Sequence, residues 1–498
     1  MNTREYWIDS VQAVAPEIAL VTAAFCALFA HSLFGKRRPQ AAAWISLAGL
    51  ASAAALLIAR WGHEPMRVVA LVEVDGFSTF FRLLMSAGCA VVVLAWMHSG
   101  RERRPLEPQL AFLLLCACLG GFLMVGTNHA LLLVLGLEIV SLSSCALVAC
   151  DKHRPASAEA AMKVFVFSGF ATALTVYGLS LLYGLTGTLD FARMGAATVD
   201  AQGLARQLAS DPIPVALALL LVSAGFACKI SLAPLHFSAP DVAAGSASPV
   251  AAFLAVVVRV AGFGALMRFL SALFVQDEAS RLLQHYAGKF GALLALLAAA
   301  TMTIGSLAAL RQAGVKRLLA WTMVAQAGFA SIGIACLNET GFASALLYLA
   351  SLALMSAGAF AVLMRLESLA GSNRLKDLRG LGWKHPLLGA AAILLFASLA
   401  GLPPTLGFYA RYRVCVEAWN LGMGWLVLVA AVNTWLGAQA CLRLLSVLFR
   451  HSHSERSAVR SRVVMTLAVG SALATFALGF WPWPIEQWAG SALDLLRK

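Results

Sequence analysis

Ionisable side chains interrupt the long apolar stretches of this chain, and Lys229 is the most informative of them. Lys229 lies in an apolar run over residues 214–236, and Pro234 interrupts that run five residues later. An ammonium group inside a bilayer costs roughly 3 kcal/mol or more, and a proline inside a helix leaves a backbone carbonyl without its donor. Broken helices occur at membrane depth where they line a wet cavity or an ion path. Together, Lys229 and Pro234 predict a functional site inside a membrane.

Five further ionisable residues share this setting and are candidate site residues: Glu138, Lys163, His236, Arg259 and Arg411. Glu138 and Lys229 each lie near the middle of an apolar stretch, where a lone charge would neutralise. An ion pair between them is the cheapest way to keep both charges. We therefore expect Glu138 and Lys229 to act together.

Structural roles are the alternative for three of the charged residues. Lys163 lies about one turn inside its apolar stretch and could snorkel to the membrane surface. Arg411, near the far end of another stretch, could be an interfacial anchor. Glu17 follows Pro16 at the start of the first apolar stretch, close to the surface, and we expect it to be structural.

The composition is that of a membrane protein. Of the 498 residues, 60% are hydrophobic and 12% are charged, whereas a soluble domain carries roughly 25% charged residues. The mean hydropathy is +0.81. The apolar residues fall in blocks of about 18–25, the length that spans about 30 Å of hydrocarbon. We therefore predict an all-α polytopic membrane protein.

Fourteen apolar blocks are candidate transmembrane helices. The blocks that contain Arg82 and Lys163 fit the pattern least well. The predicted spans are roughly 15–35, 41–60, 76–98, 109–126, 129–150, 160–185, 213–236, 244–271, 287–310, 317–337, 341–364, 387–414, 424–449 and 463–482.

Basic residues in the loops give the predicted orientation. The loops after odd-numbered spans hold most of them, including Lys36, Arg101, Lys152, Arg317, Arg374 and Arg460. By the positive-inside rule these loops are cytoplasmic, and both termini lie on the outer side. The net charge of +13 then reflects topology and contact with anionic lipid. Basic residues scattered over short loops do not indicate nucleic-acid binding.

No cofactor motif is found in the sequence. The ten cysteines include no CxxC pair, and nearly all lie inside predicted spans. Small apolar packing residues are therefore their expected role, and we expect no iron–sulfur, haem or other metal site. No GxGxxG or phosphate-binding loop occurs, so no nucleotide cofactor is implied. We expect any associated redox chemistry to take place on another subunit.

Two proline-interrupted spans indicate an internal repeat. The breaks fall at Pro234 and at Pro403–Pro404, and the cations Lys229 and Arg411 lie about 180 residues apart beside them. Paired broken helices are typical of repeated transporter architecture. The repeat would place Lys229 and Arg411 in equivalent helices. The predicted organisation is N-terminal helices in 1–108, a first five-helix repeat in 109–271, a second in 287–450, and a final helix in 463–498.

Several motifs resemble a known family, the antiporter-like membrane subunits of respiratory complex I, the bacterial NADH-quinone oxidoreductase. The resemblance runs from the first span to the last. The motifs that carry it are Gly136–Ser143 around Glu138, Lys229–Val242 across the first break, Ala247–Leu254, Val315–Trp321, Ser398–Phe408 across the second break, and Val74–Phe77.

The resemblance implies roles for individual residues. The family fold has fourteen helices with two inverted five-helix repeats that contain broken helices. In the family, positions that match Glu138 and Lys229 form a charged pair that gates a proton half-channel, and positions that match Lys163 and His236 belong to a polar axis at the membrane centre. The family usually carries lysine where this chain has Arg259 and Arg411. Arginine keeps its proton, so Arg411 is expected to act as a fixed charge.

The resemblance also implies the function and the partners. It implies a subunit of a proton-pumping translocase in the bacterial inner membrane, in which NADH, flavin, iron–sulfur clusters and quinone are bound by partner subunits. Other membrane subunits, the lipid bilayer and protons are the expected partners. The alternatives are a subunit of a cation/proton antiporter, a subunit of a membrane-bound hydrogenase, and a scaffold subunit that does not pump.

Overall fold

The computed structural model describes residues 9–30, 40–69, 71–98, 106–151, 153–197, 212–275, 281–450 and 462–494. The predicted basic loop residues Lys36, Arg101, Lys152 and Arg460, and the end of the first predicted span, lie outside the described residues. The order of elements follows the predicted series of spans closely.

The first half of the chain contains eleven of the described α-helices and a small β-hairpin. In chain order these are α1 (Ala15–Leu28), α2 (Ala41–Ala59), β1 (Met66–Val68), β2 (Val72–Val74), α3 (Gly76–His98), α4 (Pro108–Val125), α5 (Ala130–Val148), α6 (Pro155–Thr186), α7 (Phe191–Ala197), α8 (Ile213–Ile230), α9 (Ser238–Gly245), α10 (Ser248–Phe253) and α11 (Arg259–Phe274). A π-helical turn, Leu254–Val258, joins α10 to α11.

The second half contains nine described α-helices. They are α12 (Arg281–Leu310), α13 (Val315–Ala335), α14 (Glu339–Ala370), α15 (Leu381–Lys384), α16 (Pro386–Ala400), α17 (Leu406–Asn420), α18 (Gly424–Leu448), α19 (Arg462–Phe480) and α20 (Trp483–Asp494). A 3-10 turn, Leu375–Leu378, precedes α15.

The predicted membrane fold is confirmed. Within the described ranges, twelve helices are long and apolar enough to cross a membrane, or thirteen if the bent pair Leu375–Lys384 and Pro386–Ala400 counts as one span. The two other predicted spans correspond to α1, which is a shorter apolar helix, and to the interrupted pair α16 and α17. The hairpin of β1 and β2, with Met66 opposite Val74, is an addition to the predicted all-α fold.

Both proline-containing spans end earlier than predicted. The predicted helices 213–236 and 387–414 run through the breaks, but α8 ends at Ile230 and α16 ends at Ala400. In each case the next residue adopts a left-handed conformation, with φ 63° at Ser231 and 76° at Gly401. The amide of the following residue then bonds a carbonyl five residues back, which is the hydrogen bond of a helix C-terminal cap. The two halves thus share one local geometry.

The innermost helices carry the polar groups of the site. In α13 and α14, 94% of the apolar stretch of the helix is buried within the protein, whereas in α6 and α19 only 22% of that stretch is buried. Helices α13 and α14 are therefore enclosed by other helices, and α6 and α19 lie at the periphery. Polar side chains on the inner helices, such as Gln326 and Tyr348, are buried in protein and need partners there.

Candidate functional site

Lys229 lies on the last turn of α8, immediately before the first helix break. Its ammonium donates a hydrogen bond to Ser168 Oγ of α6 at 3.1 Å and a second to Ser141 Oγ of α5. Ser141 in turn donates to the Leu137 carbonyl at 2.5 Å. The hydroxyls of two neighbouring helices therefore solvate the charge that the break brings into the membrane interior.

Glu138 does not form the direct ion pair that was expected. Among the described residues, no carboxylate oxygen lies within 4.0 Å of Lys229 Nζ, although Glu138 is near enough for Coulombic attraction. Ser141, three residues further along α5, takes the contact instead. Because hydroxyls satisfy the ammonium, Glu138 is left as a separate charge one helical turn away.

A cavity of about 110 Å³ adjoins Lys229. Arg259 lies on its wall as well, so two cations of the predicted set face one space. Five hydroxyls also contribute to the lining, those of Ser141, Ser144, Ser168, Ser231 and Ser238. A space of this volume has room for several water molecules, and its cations and hydroxyls supply hydrogen-bond partners for them within an otherwise apolar lining.

Arg259 begins α11 directly after the π-helical turn Leu254–Val258. The guanidinium is buried and donates to the Met323 carbonyl of α13 at 3.0 Å. A π-helical turn inserts an extra residue into a helix and is frequent at functional sites. Arg259 thus joins the cavity of the first half to the central helix of the second half.

Arg411 is held by several acceptors beside the second helix break. Nη1 donates to the Ala400 carbonyl at 2.6 Å, and Nη2 donates to Gln326 Oε1 at 3.2 Å and to the Leu399 carbonyl. The guanidinium carbon also lies 4.3 Å from the centre of the Phe329 ring. Leu399 and Ala400 are at the end of α16, where helix carbonyls lack amide partners, so the arginine completes that helix end.

Gln326 and Tyr348 belong to this site, and the sequence did not identify them. Gln326 Nε2 donates a hydrogen bond to the Leu399 carbonyl at 2.7 Å, and the Tyr348 hydroxyl donates a hydrogen bond to Gln326 Oε1. Met323 and Gln326 are one turn apart on α13, so one helix links Arg259 to Arg411. A glutamine in the middle of an apolar span was the signal that could have pointed to this position.

The two cations are not at equivalent positions of the repeat. Lys229 precedes its break and lies on α8, five residues before Pro234, whereas Arg411 follows its break and lies on α17, seven residues after Pro404. The breaks correspond to each other, but the charges lie on opposite sides of them. Lys229 and Arg411 thus lie in the two broken spans that the predicted repeat pairs, but at different positions within them. The repeat itself stays a prediction.

Lys163 and His236 lie apart from the cavity. Lys163 Nζ is 2.7 Å from Asp241 and 2.8 Å from Glu159, and its side chain is 33% exposed in an open cleft. His236 is buried, with its ring 4.7 Å from that of Phe237 and 5.6 Å from that of Trp321. Neither residue is in the described lining of the cavity.

The sequence of this chain matches a known family across the region that holds the site. The family model described as "NADH:quinone oxidoreductase/Mrp antiporter, TM" covers residues 127–437, which is more than half of the chain. The chain belongs to this family. All six predicted site residues, from Glu138 to Arg411, lie within the matched region.

Individual relatives and solved structures extend the similarity to nearly the whole chain. The chain is 32% identical to NADH-quinone oxidoreductase subunit N of Anaeromyxobacter sp. (strain Fw109-5), over 97% of this chain and 96% of that protein. A chain of respiratory complex I from Thermus thermophilus is 32% identical, with a TM-score of 0.76 and coverage of 94% and 98%. A chain of the Mrp complex from Dietzia sp. DQ12-45-1b, at 20% identity and a TM-score of 0.83, covers 99% and 98% and shares the fold.

Two buried ion pairs include residues outside the matched region. Arg82 is 2.8 Å from Glu17, and both side chains are buried. Arg268 donates to both oxygens of Asp75 at 2.7 and 2.9 Å, while Asp75 also caps the first turn of α3. Glu17 thus joins α1 to α3, in line with its expected structural role. Neither the pairing of Glu17 with Arg82 nor that of Arg268 with Asp75 was predicted from the sequence.

Proposed function

We propose that the chain is a membrane subunit of a proton-pumping NADH-quinone oxidoreductase, in which Lys229 takes up and releases the transported proton. The observation that carries this proposal is the cavity beside the broken helix α8, where the Lys229 ammonium donates hydrogen bonds to two hydroxyls. Membership of the family supports the wider assignment. Oxidation of NADH and reduction of quinone would take place on partner subunits.

Of the two cations that line this cavity, Lys229 is the one that can change its charge. Lysine can lose a proton when it is buried, whereas arginine cannot. Arg259 faces the same cavity and would hold a fixed positive charge there, which favours release of the proton from Lys229. Neutral hydroxyls can accept from the ammonium and can also donate to the neutral amine, so both forms of Lys229 can be accommodated.

Glu138 would control the proton affinity of Lys229. Movement of the carboxylate toward the ammonium stabilises the charged lysine, and movement away favours proton release. A unit-charge pair at about 4 Å interacts by roughly 4 kcal/mol at an effective dielectric of about 20. Transfer of one charge against about 100 mV costs about 2.3 kcal/mol. A change in this one pair is therefore large enough to drive one proton across.

Arg411 would act in the second half as a fixed charge. Its guanidinium contacts two carbonyls, one amide oxygen and an aromatic face, and all of these favour the charged form. In the proposed path it orients groups around Gln326 and does not itself release a proton.

Placement of the chain in the cell follows from the same proposal. It would lie in the inner membrane of a bacterium with both termini on the outer side and with other membrane subunits as neighbours. The first repeat would occupy residues 109–271 and the second 287–450. A cation/proton antiporter subunit is the second candidate, since the family model and the shared fold include Mrp proteins.

A double-mutant cycle on Glu138 and Lys229 tests the proposed function. In the assembled complex, Lys229→Ala should abolish most of the proton pumping that depends on this subunit, and Glu138→Gln should reproduce much of that defect. The double variant should be no worse than Lys229→Ala, because the two residues act on one proton. Protons moved per NADH oxidised is the quantity to measure in membrane vesicles.

Lys289→Ala is the matched control, since Lys289 is exposed on α12 away from the cavity. It should leave the proton yield unchanged. Full pumping in Lys229→Ala would refute the role of Lys229. Additive losses in the double variant would show that Glu138 acts elsewhere. Flux of Na⁺ in place of protons would favour the antiporter candidate.

A further inference from the structure

An open cleft lies next to the Lys229 cavity along the same helices. The cleft has a volume of about 570 Å³, and the cavity has about 110 Å³. On α6, Lys163 lines the cleft while Val164 and Ser168 line the cavity. On α13, Lys316 and Arg317 line the cleft while Ala320 and Met323 line the cavity. The two spaces are therefore stacked, with the cleft at the end that carries the basic loops.

The short helix α9 forms part of the wall between the two spaces. Its residues Ser238, Ala239, Val242 and Ala243 line the cavity, and Asp241, Ala244 and Gly245 line the cleft. These two sets fall on different faces of a helix with 3.6 residues per turn. Rotation or displacement of this one short helix would therefore join the cleft to the cavity.

Asp241 attaches α9 to both of its neighbours on the cleft side. One oxygen lies 2.7 Å from Lys163 Nζ of α6, and the other lies 3.2 Å from Arg317 Nη2 of α13. All three side chains are partly exposed, at 33%, 41% and 54% for Lys163, Asp241 and Arg317. Ion pairs with this exposure are weak and exchange readily with water. They can hold a closed position and release it.

The wall is thin. Lys163 in the cleft and Ser168, which binds Lys229, are five residues apart on α6, which corresponds to about 7.5 Å along the helix. Gly245 lets α9 pack closely against α6, because a Cβ there would lie 2.5 Å from the Ala156 carbonyl oxygen and 2.6 Å from Ala160 Cβ. The cleft and the cavity are therefore separated by little more than one turn of α6 and by the packing of α9 against it.

We propose that Asp241 is the latch of the entrance through which protons and water reach Lys229 from the cleft. With Asp241 bound to Lys163 and Arg317, α9 closes the cavity, and release of either partner allows α9 to move. Lys163 thereby acts at the entrance and not on the central axis. This inference rests on the proposed function of Lys229. It adds Asp241 as a positioning residue.

Cys228 provides a direct measure of entry, because it lines the cavity beside Lys229. The chain would keep Cys228 as its only cysteine, within the assembled complex in oriented membrane vesicles. The probe is an anionic, membrane-impermeant methanethiosulfonate, which the cations of the cavity attract. Asp241→Asn should raise the labelling rate of Cys228 on the order of tenfold, with reagent added on the basic-loop side. Reagent on the other side should show no such increase.

Glu159→Gln is the matched control. Glu159 also pairs with Lys163, at 2.8 Å, but lies on the same helix and does not hold α9. Its loss should leave the labelling rate unchanged, and Asp241→Glu should restore slow labelling. Equal labelling in the parent and in Asp241→Asn would overturn the latch, as would an equal increase with Glu159→Gln.

Labelling of Cys228 needs neither NADH nor proton pumping, so each of the two proposals can be refuted without the other. Faster labelling in Asp241→Asn combined with full pumping in Lys229→Ala would keep the latch and reject the proposed role of Lys229. Unchanged labelling combined with loss of pumping in Lys229→Ala would reject the latch alone.

Discussion

At the scale of single residues, Arg411 shows how a charge can be kept in a membrane protein without proton exchange. Its guanidinium uses two nitrogens for the carbonyls of Leu399 and Ala400 and for Gln326. A lysine has one nitrogen at this position and cannot reproduce that fork. Substitution of Arg411 by lysine therefore keeps the positive charge but removes the forked hydrogen-bond geometry.

We predict that Arg411→Lys keeps proton pumping but lowers thermal stability, because the charge stays while contacts to the end of α16 are lost. Arg411→Ala should impair both, since the carbonyls and Gln326 lose their donor. Protons per NADH and the unfolding temperature in detergent are the two measurements. Wild-type pumping in Arg411→Ala would show that this position carries no essential charge.

Residue types singled out the charged side chains but did not predict their contacts. Lys229 and Arg259, both candidates from the sequence, line one cavity. The serines that solvate Lys229 could not be chosen from the sequence, because serine is common in these helices and its partner depends on helix packing. For the same reason, the pairs Glu17–Arg82 and Asp75–Arg268 join residues far apart in the chain and were not foreseen.

At the scale of elements, the two helix breaks share a left-handed residue after the last helical turn. At Gly401 a Cβ would overlap Arg411 Nη1, whereas at Gly187, another left-handed helix end, nothing lies within 4 Å of the added atom. Gly187 has φ 68° and Gly401 has φ 76°, so the backbone strain of a substitution is similar at both. A comparison of substitutions at Gly187 and Gly401 therefore separates the effect of the contact with Arg411 from the effect of backbone strain.

We predict that Gly187→Ala costs about 1 kcal/mol of stability, the strain of a left-handed alanine. Gly401→Ala should cost more and should also lower pumping, because Arg411 must move from the carbonyls that it holds. Unfolding in detergent and proton yield are measured for both variants. Equal losses at the two sites would contradict the proposed link between the break and Arg411.

The lengths of the apolar stretches predicted the positions of the helices well, but they did not predict where the broken helices end. Long runs such as 129–150 match a helix over Ala130–Val148, since the length and the hydropathy of the run dictate a span of this kind. The runs 213–236 and 387–414 continue in the sequence past the point where the helices stop. Proline signals a break nearby, but the left-handed residue that ends each helix lies three residues before the final proline of the break.

At the scale of the whole molecule, the polar groups lie in a series from an open cleft to the Lys229 cavity and on to the second half of the chain. The cleft with Lys163 adjoins the cavity with Lys229 and Arg259, and α13 connects Arg259 to Gln326 and Arg411. The family resemblance predicted an axis of charged residues. The proposed entrance at Asp241 and the proposed proton exchange at Lys229 depend on which side chains share a wall, and this becomes visible only when the helices are packed together.

The central claim is that Lys229 must lose and regain a proton, and Lys229→Arg tests it most directly. Arginine keeps a positive charge and can donate to Ser141 and Ser168, but it does not deprotonate in proteins. The measurement is protons moved per NADH oxidised by the assembled complex, with Lys289→Arg as the control. The account predicts a loss of pumping in Lys229→Arg as large as that in Lys229→Ala, with the control unchanged. Normal pumping in Lys229→Arg would contradict it, because a fixed charge would then be sufficient at this position.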